Sequence, residues 1–95
     1  MVFTGCGHAG VVNTLKCARD LTGVDRIHAV IGGFHLTGPI FEPIIAPTVQ
    51  ALKQFKPVVI VPQHCTGWRA THVMAREFQD AFIPNSVGTT MVIEA

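Results

Sequence analysis

The sequence predicts one α/β domain spanning residues 1–95, with the element order βαβαβαβ and a mostly parallel sheet. Three observations carry this. Short apolar runs alternate with stretches of helical spacing, the pattern of strands joined by helical crossovers. Glycine or proline marks most of the junctions between them. Finally, "VFTGCGHAG", "AVIGGFHLTG" and "VPQHCTG" repeat one theme: an apolar strand enters a turn, then a histidine, then a glycine two or three residues later.

The elements follow in order. Val2 to Thr4 reads as the first strand, and Gly5-Cys6-Gly7 as its turn. From Ala9 to Thr22, helical spacing puts Val11, Val12, Leu15, Ala18 and Leu21 on one face, and Gly23 supplies the stop. The second strand is expected over Ile27–Ile31, broken by Gly32-Gly33. "GPIFEPIIA", residues 38–46, reads as a flap-like loop packed on its surroundings. Pro47 suits a first helical position, and the helix it opens runs to about Phe55. Val58 to Val61 is the third strand. Thr66 is expected to cap a third helix that carries Ala70, Val73, Met74, Phe78 and Ala81 inward. Pro84-Asn85-Ser86 turns the chain toward a last strand, Thr89 to Ile93.

Composition narrows the function classes. Of the 95 residues, 48% are hydrophobic and only 14% charged, against about 25% charged in an ordinary soluble domain. So short a chain with so few charges is expected to keep an apolar face beyond its own core. The net charge is +1, with no basic run and no tyrosine, which offers no nucleic-acid footprint. No apolar run approaches the length of a membrane span, and Met1 leads straight into a strand-like segment without a signal-peptide pattern. An odd set of three cysteines, Cys6, Cys17 and Cys65, favours a reducing, cytoplasmic setting.

Ligands of parallel sheets bind beyond the carboxyl ends of the strands. Successive crossovers would bring His8, His35 and His64 to that edge, at spacings of 27 and 29 residues. Three neutral imidazoles there suit one divalent metal with a position left for water. Each also serves as an ordinary hydrogen-bonded turn residue, and only the repetition favours ligation. Cys6 and Cys65 read as small buried residues or as thiolate ligands. A nucleophilic Cys65–histidine pair is the other option, but no acid lies close in sequence to orient it. Glu42, in the flap, is the acid expected nearest the histidines. His28 and His72 read as ordinary surface or packed residues, Cys17 as core and Trp68 as a packing anchor. No residue is assigned as catalytic.

Taken together, "TGCGHAGVVNTL", "IGGFHLTG" and "VPQHCTGW" resemble the C-terminal half of the metallo-β-lactamase superfamily, closest to the branch of the dihydropterin–ribofuranosylaminobenzene-phosphate synthases. The resemblance implies half of an αββα sandwich, with helices on one face of the sheet. It implies a metal-dependent hydrolase scaffold that holds zinc, or else manganese or iron. His8 then matches the third-motif ligand and His64 the last, while His35 stands near the family's bridging aspartate. The family's His-x-His-x-Asp-His motif is absent, since no two of the five histidines are separated by a single residue. The expected function is a truncated metal-dependent hydrolase with an incomplete site in one chain. The alternative is a non-catalytic αβ oligomeric or binding module that keeps vestigial histidines.

A sheet with helices on one face exposes apolar surface on the other, at about 25 cal/mol per Å². A missing N-terminal half or a second copy is therefore expected to cover it. Size-exclusion chromatography with light scattering should return a two-fold dimer. A well-folded monomer at micromolar concentration would contradict that expectation.

Overall fold

The computed structural model describes residues 1–84, 88 and 90–92, and of His64 the backbone alone. Three strands, β1 (Val2–Thr4), β2 (Ala29–Gly33) and β3 (Val59–Gln63), form a sheet in sequence order. Both pairings are parallel. Helices α1 (Val11–Thr22), α2 (Ile45–Gln54) and α3 (Trp68–Phe78) follow the strands in turn, with α2 packed between α1 and α3. This is the α/β half-sandwich that the motifs imply. A fourth position in the sheet is marked by a single parallel bridge from Phe82 to Ile60. The strand expected over Thr89–Ile93 falls partly outside the described residues, and Thr90, Met91 and Val92 are not in a strand.

Register explains the layering. Val2, Val30 and Ile60 lie in one row across the sheet. They pack with Val11 and Leu15 of α1, Val49 and Leu52 of α2, and Ala70 and Met74 of α3. The neighbouring row, Phe3, Ile31 and Val61, points to the other face because side chains alternate along a strand. That second face is apolar, as expected, but its exposure is uneven. Phe3 is 68% exposed at the β1 edge, whereas Ile31 and Val61 are 5% and 0% exposed.

Several boundaries differ from the sequence reading, each for a local reason. Strands β2 and β3 both end two residues later than expected, at Gly33 and Gln63. Gly32 does not break β2. It pairs with Thr4 at a positive φ of 140°, where a Cβ would collide with the Thr4 backbone. Glycine here permits close strand approach rather than marking a turn. Helix α2 begins at Ile45, after a single 3₁₀ turn at Glu42–Ile44. Pro47 is thus its third residue, where the missing N–H would have had no partner within the helix.

Helix α3 starts after Gly67, so Thr66 is not its cap. On α1 the buried positions are Val11 and Leu15. Leu21 is 81% exposed and Cys17 is exposed, so the last turns of α1 extend past the core. Trp68 is 70% exposed, near its neighbours Arg69 and His72, and anchors no packing. No helix among the described residues is long and apolar enough to cross a membrane.

Leu52 is fully buried at the centre of the helix layer. Leu52→Ala should cost about 2–5 kcal/mol. Urea denaturation should show this as a lower midpoint with an unchanged slope.

Candidate functional site

The three turns that follow the strands meet at one edge, and hydrogen bonds between them hold that edge together. The Gly33 N–H donates to the Gly5 carbonyl at 2.9 Å, and the Thr4 hydroxyl donates to the Gly33 carbonyl at 2.8 Å, joining the exits of β1 and β2. The Leu36 N–H donates to the Cys65 carbonyl at 3.2 Å, joining the exits of β2 and β3. The Cys65 thiol donates to the Cys6 carbonyl at 2.9 Å, closing the set between β3 and β1.

Thr66 is the buried polar member of this edge, at 1% exposure. Its hydroxyl accepts from the Phe34 N–H at 3.1 Å and donates to the Gln63 carbonyl at 2.7 Å. One hydroxyl thus satisfies two backbone groups where two chain segments leave the sheet. The sequence reading assigned Thr66 to the following helix, and the Thr-Gly pair before Trp68 gave no hint of a partner 32 residues away.

Two of the three singled-out histidines are brought together. The His8 and His35 ring centroids are 4.4 Å apart, with the planes tilted by 51°. His8 is exposed on the rim, while His35 is half-buried. Phe41 meets the His35 ring edge-on at 4.7 Å, so the flap-like segment does cover the histidine edge. His35 adopts a left-handed backbone, φ 52°, which few residues other than glycine take up and which accumulates at functional sites. Its Nδ1 is buried and has no hydrogen-bond partner among the described residues. His64 opens the 3₁₀ turn at the end of β3, at the same edge, and its side chain lies outside the description.

His8 and His35 open into a cleft of about 220 Å³ lined also by Val11, Asn13, Phe41 and Thr48. Its apolar wall comes from α1 and the flap. Gly7 borders it at φ 75°, where a Cβ would sit 2.6 Å from the Gly33 carbonyl oxygen. Any larger residue would push the two turns apart. Phe41 and Thr48 carried no chemical motif in the sequence, and only the packing of the flap and of the start of α2 around the cleft reveals them.

The remaining candidates separate. Glu42 pairs with Arg69 at 3.5 Å, on an exposed surface where such pairs contribute little. Burial pushes the Cys65 thiol above its ordinary pKa, only partly offset by the backbone N–H of His35. A thiol so placed is a poor nucleophile at neutral pH, which argues against the Cys–His option. Among the described residues, no three His, Cys, Asp or Glu side chains converge as a complete metal site. The described part of the edge offers two imidazoles.

Similarity to known proteins agrees with this architecture. No protein-family model matches the chain. Over 82 residues it is 37% identical to the 7,8-dihydropterin-6-methyl-4-(β-D-ribofuranosyl)-aminobenzene-5'-phosphate synthase of Methanocaldococcus jannaschii, covering 86% of this chain and 28% of that protein. It is 34% identical over 70 residues to an uncharacterized protein of the same organism, covering 74% of this chain and 25% of the relative. Among solved structures, Tm1679, a metal-dependent hydrolase of the β-lactamase superfamily, superposes with a TM-score of 0.82 at 33% identity. That match takes in 98% of this chain and 36% of the neighbour. The chain therefore spans between a quarter and about a third of the proteins it matches.

The Thr66 hydroxyl yields a direct test. Thr66→Val keeps the shape but leaves the buried Phe34 N–H unpaired, which should cost about 1–3 kcal/mol. Thr66→Ser should recover most of that loss, as read from urea midpoints.

Proposed function

We propose that this chain, whose fold matches half of the β-lactamase superfamily sandwich, is one half of a metal-dependent hydrolase site, with His8, His35 and His64 as its imidazole ligands. The observation that supports this most is the state of His35. Its ring lies 4.4 Å from that of His8, and its Nδ1 is buried without a hydrogen-bond partner among the described residues. Buried polar atoms are nearly always satisfied, so an imidazole nitrogen placed in this way fits a divalent cation as its partner. Zinc suits nitrogen ligands best, with manganese or iron as the other choices.

When bound, a divalent cation supplies Lewis-acid polarisation for hydrolysis at neutral pH. The chain's own residues supply position. The left-handed backbone of His35 and the edge-on Phe41 ring fix one imidazole. His8 stands on the open rim, where substrate enters. Val11 and Phe41 give the cleft an apolar wall, and Asn13 and Thr48 give it polar groups for a substrate oxygen. An ester or phosphoester-like substrate fits that mixture.

Imidazoles from one half alone make an incomplete donor set, so the proposal requires a second αβ half for activity. A second copy of the chain, or an N-terminal half supplied separately, would complete the donor set. Exposed Phe3, on the sheet face away from the helices, supports docking on that side.

Zinc content and affinity test the proposal without an activity assay. Protein loaded with zinc and dialysed should keep the ion by elemental analysis. In competition with a chromophoric chelator, His8→Ala and His35→Ala should each weaken binding by on the order of tenfold or more. Zinc-free protein with an unfolding midpoint indifferent to zinc and chelator would favour the non-catalytic module instead.

A further inference from the structure

Strands β1 and β3 are not neighbours, since β2 lies between them. With strands about 4.8 Å apart, their ends stand roughly 10 Å from one another. Yet the turn after β3 reaches the turn after β1, with the Cys65 Sγ 2.9 Å from the Cys6 carbonyl oxygen. The two turns lean together past the end of β2. Both cysteines are reduced and partly buried, while Cys17 is exposed on α1.

We propose that Cys6 and Cys65 form a reversible disulfide that clasps the exits of β1 and β3 over the end of β2. The placement favours this pair on three grounds. The sulfur of Cys65 already lies 2.9 Å from the Cys6 carbonyl oxygen, so the two residues stand side by side although 59 positions separate them. The surrounding hydrogen bonds, Gly33 to Gly5 and Leu36 to Cys65, hold both turns in place beforehand. Partial burial admits a small disulfide reagent while shielding the product.

The chemistry balances with a low-molecular-weight disulfide as oxidant. One protein thiolate attacks a sulfur of oxidised glutathione, forming a mixed disulfide and releasing one glutathione thiolate. The second protein thiolate then attacks the protein sulfur of that mixed disulfide and displaces the other glutathione. Two cysteine thiols are oxidised, one glutathione disulfide is reduced, and two protons leave with the products. An excess of reduced glutathione reverses both steps. The clasp closes a loop from residue 6 to residue 65 and secures the turns that carry His8 and His64. Its formation does not depend on metal binding.

The test uses the full chain in chelator, so that no metal protects a thiol. Protein is equilibrated with oxidised glutathione at pH 8, quenched with acid, alkylated and analysed by mass spectrometry. Loss of two of the three alkylatable thiols is expected, with a linked peptide joining Cys6 to Cys65 and with Cys17 still alkylated. Cys17→Ser should retain the link, and Cys6→Ser and Cys65→Ser should each abolish it. Three alkylatable thiols, a link involving Cys17, or Cys6 and Cys65 each capped separately by glutathione would overturn the proposal.

Discussion

Three parallel strands in sequence order leave three chain exits at one edge, and each exit carries backbone groups that the sheet no longer pairs. Buried groups of that kind cost free energy unless a partner is found. Much of the site follows from how this chain finds those partners. The Gly33 N–H turns to Gly5, the Leu36 N–H turns to Cys65, and Phe34 and Gln63 share the Thr66 hydroxyl. These bonds run between exits, so satisfying the backbone also brings the three histidine-bearing turns together. The histidine edge is a consequence of hydrogen-bond satisfaction as much as of topology.

The same constraint accounts for the unusual local geometry. Gly7 and Gly32 stand where neighbouring backbone comes too close for a side chain. His35 takes a left-handed conformation that costs roughly 1–3 kcal/mol in a residue other than glycine. The surrounding bonds and the Phe41 ring hold it there, with its Nδ1 buried and unpaired among the described residues. The functional proposal centres on His35 rather than on the more exposed His8 because of that placement.

Between these strained turns and the helices lies an ordinary core. Val30 and Ile60 meet Leu15, Leu52 and Met74 in a layer that also takes in Phe34 and Leu36, the two residues flanking His35. The opposite sheet face is less uniform, closed over Ile31 and Val61 and open at Phe3. The exposed apolar surface at the β1 edge is therefore narrower than an entirely bare sheet.

The amino-acid order by itself determined the alternation of strands and helices, the parallel sheet, and the arrival of the histidine-bearing turns at one edge. Periodicity and crossover geometry act locally, so they can be read along the chain. It also carried the three motifs that mark the resemblance to half of the β-lactamase superfamily sandwich. Strand ends at Gly33 and Gln63, the role of Thr66, the exposure of Cys17 and Trp68, and the cover that Phe41 gives His35 were decided only by tertiary structure. Each depends on which distant backbone or ring arrives alongside, and contacts between residues far apart in sequence leave no periodic trace in it. The meeting of Cys6 with Cys65 belongs to the same class, since 59 positions separate them and only the lean of two turns past β2 makes them neighbours.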